Sequence, residues 1–405
     1  MITNEKTDSN EHSLPKIRRK TDFTILCLTF ILVYTSYNAV TNLQSSIHTD
    51  NTIGYHSLAI ISGCSILSCL IFTNPLIFIG GYKWTIVLAQ FGFLIYIAAN
   101  MYPKVWLMHP ASVFCGLFRA GFWTALSAYI TDLGTSKQAG PITDAVINKY
   151  FGIFFSAFQT SQIWGNLVAY ILYGIFMGLI FISIVLVIIM LDQKRKWKSI
   201  VLLKLILVLA YDAHMFVDAT PKHLLIDSRH FIVSTFKQMK SIKQLLLLPL
   251  AFWIGTSEAF LFGIFTSSFI TCTVGLPYVG LIMITYGVTA SVCSVIVGWL
   301  GRYRIRVPCY ILGALLCYAS YIVMFLWKPV PSQVYILFIL VGMKGIASAI
   351  WDPIEAALYG SLFEKKEEAA YSNMWLGQNV DYLVVYLYGS VVGYGGILWR
   401  RNSTM

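Results

Sequence analysis

YFGIFFSAFQTSQIWGN, residues 150–166, is an apolar run broken by three amides, Gln159, Gln162 and Asn166, at spacings of three and four. On a helix those spacings gather the amides into one stripe together with Phe155. An amide is costly in hydrocarbon unless it finds a hydrogen-bond partner, so the stripe must face other helices or a wet cavity rather than lipid. The segment is therefore expected to be a helix packed inside a membrane bundle.

The rest of the chain agrees with that setting. It has 405 residues, of which 57% are hydrophobic and 12% charged, with a mean hydropathy of +0.70. A surface that apolar cannot be left in water, and the composition implies an all-α polytopic membrane protein. The net charge of +11 does not point to nucleic acid, because the basic residues follow topology rather than forming one patch. Eight cysteines lie in or beside apolar segments with no CxxC pair, so neither a disulfide framework nor a zinc site is expected. The polar N-terminal stretch ends in Lys16, Arg18, Arg19 and Lys20, so the first apolar segment reads as a retained helix rather than a cleaved signal.

Apolar segments near 23–41, 57–79, 84–101, 107–130, 150–171, 174–191, 245–270, 276–298, 308–327, 332–350 and 374–392 each approach the roughly 20 residues needed to cross a bilayer. That makes about 11 spans, with a twelfth apparently missing because too few residues follow Val392. A truncated product is one reading of this ending. With a cytoplasmic N-terminus the inner segments hold most of the 29 Lys and Arg, and the outer loops hold Lys104 and Lys328 alone. Three units follow: an N-terminal six-span half over 1–191, a basic cytoplasmic loop over 192–244, and a C-terminal half over 245–405. Within the loop, residues 200–211 are apolar but short for a span and read as an interfacial helix.

Short internal matches favour a six-plus-six pseudo-repeat. GGYK from Gly80 and GWLGRYR from Gly298 occupy equivalent turns, while GLFRAGFW from Gly116 and GMKGIASAIW from Gly342 each set a cation soon after a glycine. A major-facilitator-like bundle places such pairs around one cavity, where spans one, four, seven and ten would bring Arg119, Glu258 and Lys344 near Asn38 and Asn42. Arg119, Glu258, Lys344 and Asp381 lie inside spans, with Asp352 and Glu355 at an inner border. Two cations against two anions favour internal pairing, specifically of Glu258 with Arg119 or Lys344. The charges are either architectural salt bridges or part of a proton-coupled or ligand-binding cavity. Similarly, Tyr34, Asn38, Asn42 and Ser45 on the first span, and the Gln159, Gln162 and Asn166 stripe, either bond helix to helix or line a solute path or partner contact. The Gly389 to Gly393 spacing is a small-xxx-small pattern of the kind that glycine-rich spans show by chance. Motifs of nucleophilic, metal or nucleotide chemistry such as GxSxG, HExxH and GxGxxG do not occur, so no enzyme activity, cofactor or metal is expected.

Several motifs in order resemble the uncoordinated-93 family, a branch of the major facilitator architecture. They are NLQSS from Asn42, KWTIV from Lys83, YIAAN from Tyr96, WTA from Trp123, YFGIFF from Tyr150, QTSQIWGN from Gln159, ALYG from Ala357 and EEAAYSN from Glu367. The first half carries the likeness densely and the second more thinly. Arg119 and Lys344 depart from it, standing where the family would be expected to have small residues. The resemblance implies a regulatory subunit of a two-pore potassium channel complex, whose partners are potassium channel subunits or other membrane proteins and the lipid bilayer, not nucleic acid. A facilitator-type solute transporter is the alternative, and a trafficking escort of membrane receptors a further one. GGYKW lacks the acidic residue and arginine run expected of the gating motif of solute-carrying facilitators. The plasma membrane is the expected location, ahead of endosomal or ER membrane.

The span count has a direct consequence. Eleven spans from a cytoplasmic N-terminus place the tail from Tyr394 outside, against the inward preference of Arg400 and Arg401. An epitope appended after Met405 should be labelled on intact cells; labelling only after permeabilisation would mean that residues 200–211 cross the membrane or that the last span does not.

Overall fold

The computed structural model describes residues 16–47, 53–135, 141–171, 232–300, 306–363 and 367–403. Among the described residues the regular structure is helical throughout. The first set of long helices is α1 (Lys16–Ile47), α2 (Ile53–Leu67), α3 (Thr73–Ala99), α4 (Val105–Thr135) and α5 (Pro141–Ile171). The second is α6 (Ile242–Ala259), α7 (Pro277–Leu300), α8 (Arg306–Leu326), α9 (Val334–Leu362) and α10 (Glu367–Ser403). The expected sixth span at 174–191 and the interfacial segment at 200–211 lie outside the described residues. At the end of the chain the last helix is longer than the expected 374–392, running 37 residues to Ser403.

Among the described residues, seven helical segments are long and apolar enough to cross a membrane. One of them, Ile53–Ala99, has 47 residues and makes two passes. It turns back at Gly81, whose φ of 65° is open to glycine at little cost and to other residues only under strain. Thr85 caps the turn by donating to the carbonyl oxygens of Gly81 at 2.9 Å and Leu76 at 3.3 Å. Neither α5 nor α10 is among the seven, because amides and acids interrupt their apolar runs, yet Phe151, Phe154, Gln162 and Asn166 of α5 and Asn373, Met374 and Gln378 of α10 are buried in the bundle.

Two helices are locally widened, and in each the carbonyls that lose their regular partners find others. In the wide turn Ser68–Phe72, Cys69 O accepts from Ser372 Oγ at 2.7 Å. After α6 the widened stretch Phe260–Thr271 leaves Gly263 O to accept from Tyr55 Oη at 3.1 Å, Thr266 Oγ1 at 3.0 Å and Ser267 Oγ at 3.0 Å. Hydrocarbon offers such carbonyls no other partner.

The two sets meet along two seams. Between α5 and α7, Gly152 lies against Gly298, while a methyl group at Gly287 would stand 2.9 Å from Ile163 N and one at Gly280 would stand 2.8 Å from Asn166 O. Between α2 and α10, a methyl at Gly389 would stand 2.6 Å from the Tyr55 ring, so this glycine of the small-xxx-small pattern makes a helix contact. The aromatic core of the first set centres on Phe30, which stacks on Phe122 at 4.3 Å and meets Phe154 edge-on at 5.1 Å. By contrast α8 is peripheral, burying only Gly313, Cys317, Ser320 and Met324.

The seam is close enough for single atoms to matter. Gly152→Val should lower stability by about 1–3 kcal/mol through overpacking, read as a lower unfolding temperature of the solubilised protein. Gly63→Ala, with only Leu383 Cδ1 at 4.0 Å, should leave it near the parent value. Equal effects would mean that the α5 and α7 backbones do not approach so closely.

Candidate functional site

The two sets enclose a central cavity of about 100 Å³. Its walls come from α1, α2, α4, α5, α6, α7, α9 and α10, which include the helices the facilitator arrangement leads one to expect, with α2, α5, α7 and α10 in addition. Asn38, Asn42, Arg119, Gln159, Gln162 and Glu258 line it; Asn166, Lys344 and Asp381 do not.

The amide stripe of α5 meets the polar face of α1. Asn42 Nδ2 donates to Gln162 Oε1 at 2.9 Å and to Asn166 Oδ1 at 3.0 Å, and Asn166 Nδ2 returns to the Gln162 carbonyl at 2.7 Å. One turn away Asn38 Nδ2 donates to Ser161 Oγ at 2.9 Å. These groups therefore bond helix to helix. Gln159 differs, since its Oε1 is buried without a partner at the cavity wall.

The buried charges are arranged otherwise than expected. Among the described residues neither Arg119 nor Lys344 lies within ion-pair distance of Glu258. The Glu258 carboxylate instead accepts a hydrogen bond from the Tyr382 hydroxyl. The Arg119 guanidinium stands 5.1 Å from the Tyr382 ring centroid and donates to Asn379 Oδ1 at 3.3 Å. One tyrosine thus joins the cation through its face and the carboxylate through its hydroxyl. Lys344 turns away from the cavity and donates to Ser257 Oγ at 2.5 Å and Tyr321 Oη at 2.9 Å, with Cys317 Sγ at 3.5 Å. The Tyr321 ring also lies 4.5 Å from its nitrogen. A lysine has three donors, and all three are answered by neutral groups. Asp381 is half-buried behind Gly255, with Oδ2 unpartnered, while its neighbour Tyr382 occupies the cavity wall.

Asp352 and Glu355 were expected at an inner border, and the structure places both in the cavity wall. They are three residues apart on α9 and so share a face. Gln378 Nε2 donates to Glu355 Oε2 at 3.0 Å. The expected span ended at residue 350, whereas α9 continues through Pro353 to Leu362 and carries both acids within the helix.

Below the cavity, toward the end that the charge pattern assigns to the cytoplasm, the halves interlock. Tyr371 hydroxyl bonds Thr131 Oγ1 at 2.8 Å and donates to Ala356 O at 2.7 Å. Ser372 donates to Cys69 O at 2.7 Å, and Tyr82 Oη to Glu368 at 2.6 Å. Trp123 and Trp375 meet at 4.8 Å above this layer.

If Tyr382 carries the Glu258 interaction, Tyr382→Phe and Glu258→Gln should each lower the unfolding temperature. The double variant should lose less than the sum, with a coupling of about 0.5–3 kcal/mol. Strict additivity would show that hydroxyl and carboxylate act apart.

A family model described as the ion channel regulatory protein UNC-93 matches residues 45–395. Protein unc-93 homolog A of Bos taurus is 30% identical over 90% of this chain and 86% of its own length. The putative potassium channel regulatory protein unc-93 of Caenorhabditis elegans is 27% identical over 83% of this chain and 52% of its own. Among solved structures, the human organic anion transporter MFSD10 superposes with a TM-score of 0.61 at 12% identity, covering 94% of this chain and 95% of that one. The nucleoside transporter NupG does so with a TM-score of 0.57 at 14% identity, covering 92% and 90%. These two establish the major facilitator fold alone. Taken with the motif order and the multi-pass helical bundle, the match over 45–395 shows that this chain belongs to the UNC-93 family.

Proposed function

We propose that this protein is an accessory subunit of a potassium channel in the plasma membrane, acting on the channel through helix contacts within the bilayer. The observation that carries the reading is the match to the ion channel regulatory family over residues 45–395. The Caenorhabditis elegans relative named as a putative potassium channel regulator points to the ion.

Two features of the fold are consistent with it. Asn42 of α1 is spent on Gln162 and Asn166 of α5, and Asn38 on Ser161, which ties the two helices together. Outside, α7 and α8 present Val292, Val295, Ile311, Leu315 and Ile322, each at least half exposed, as an apolar face on which lipid or a channel helix could pack. Transport of a small solute is the second reading, and the central cavity is what favours it.

Co-expression with a two-pore potassium channel separates the readings when current and surface channel are measured together. A changed conductance at constant surface level is expected. A change in surface level alone would favour an escort and overturn the regulator, as would unchanged current. Solute uptake by cells that express this chain and no added channel would support transport.

A further inference from the structure

The cavity is asymmetric in charge. On one wall Arg119 and Glu258 are joined through Tyr382 and balance one another. On the other, Asp352 and Glu355 share a face of α9, and among the described residues no cation lies within ion-pair distance of either. Glu355 is only 1% exposed. One of its oxygens accepts from Gln378, and the other, Oε1, is buried without a partner.

Glu355 Oε1 is not alone. Gln159 Oε1 and the hydroxyls of Tyr34 and Tyr286 are also buried in the same wall without a close hydrogen bond, although Tyr286 stands beside Gln159 and Ser348, and Tyr34 beside Trp123. The Gln159 amide oxygen can only accept, an ionised Glu355 carboxylate likewise, and the hydroxyls can do so. Such oxygens in hydrocarbon call for a donor or a positive charge. Between them the wall is aromatic, including Tyr37, Trp123, Phe155, Phe158 and Trp375. Aromatic faces attract a cation that sheds its water easily, and quaternary ammonium groups are the usual beneficiaries. Among the described residues no three His, Cys, Asp or Glu groups converge as a metal site would require, so the acids are not spaced to wrap an inorganic ion.

We propose that the central cavity binds a small organic ammonium ion, with its charge against Glu355 and Asp352 and its carbon groups against the aromatic wall. The cavity of about 100 Å³ is of the same order as engineered cavities of about 150 Å³ that admit benzene, which fits a head group of four or five carbons rather than a large drug-like cation. The site's sign is opposite to what an organic anion would need. Its occupancy is independent of channel regulation, since it is measured on the chain alone.

The test uses the full chain purified into lipid nanodiscs, with radiolabelled choline as probe and tetramethylammonium as competitor. The uncharged carbon analogue of choline, 3,3-dimethyl-1-butanol, and potassium chloride at matched ionic strength are the controls. Saturable choline binding is expected, displaced by tetramethylammonium and not by the alcohol or by potassium. Glu355→Gln should weaken it roughly ten- to hundredfold, the loss of one charge-assisted contact. Should that variant fail to fold, Asp352→Asn and the comparison of choline with the alcohol on the parent protein decide the matter. Absence of saturable choline binding, equal displacement by the alcohol, displacement by potassium chloride alone, or unchanged affinity in a folded Glu355→Gln would each overturn the proposal.

Discussion

Hydrocarbon supplies no hydrogen bonds, and that single constraint organises this molecule. Every polar group at membrane depth must be answered from within the protein or from a cavity, so the polar residues set which helices touch and on which face. Asn42 meeting both Gln162 and Asn166 locks α1 to α5. The widened stretch after α6 exposes Gly263 O, and Tyr55 reaches it from α2 in the other set. Such bonds draw no strength from burial beyond what lipid already offers, but they specify register, because a slip of one residue would strand the amides.

Charge follows the same rule with a larger penalty. Instead of direct ion pairs, the structure interposes tyrosines. Tyr382 stands between Arg119 and Glu258, and Tyr321 offers Lys344 both its hydroxyl and its ring. A tyrosine can accept a cation on its face and donate from its hydroxyl, and it carries no charge of its own to desolvate. Direct pairs would demand that both ions be buried at close quarters with their remaining sites filled. Asp352 and Glu355 are the exception, being acids with no comparable mediator.

The architecture was legible because it rests on long, one-dimensional signals. Apolar run lengths located the helices that are described, the Gly80–Gly81 turn divided the second from the third, and the three-and-four spacing of Gln159, Gln162 and Asn166 identified a buried face whose Gln162 and Asn166 meet α1. What could not be read was which partner each charge would choose. That choice depends on rotations of helices far apart in sequence: Glu258 and Tyr382 are separated by 124 residues, and Lys344 and Tyr321 by 23. Charge balance pointed to Glu258 with a cation, whereas a neutral hydroxyl fits better at that distance. Asp381 drew attention because it can ionise, yet the residue beside it is the one that reaches the cavity. Asp352 and Glu355 fell just beyond the apolar run expected at 332–350, although the helix that carries them continues to Leu362.

The same contacts show how an event in the cavity could reach the outside of the bundle. Ser257 and Glu258 are consecutive on α6, so their side chains point about 100° apart. Glu258 faces Tyr382 and the cavity, and Ser257 faces Lys344, which reaches Tyr321 of the peripheral helix α8. Gly255, one turn earlier, lies within 2.8 Å of the Gln378 backbone for any added methyl, and the Gln378 side chain holds Glu355. A rotation of α6 that served one side of this arrangement would therefore disturb the other. The widened turn beginning at Phe260, immediately after these residues, is where such a rotation could be absorbed without breaking the helix. Coupling of that kind needs contiguous contacts rather than distance-spanning forces. The contacts run from the acids of α9, through α10 and α6, to the peripheral helix α8 with its exposed apolar surface.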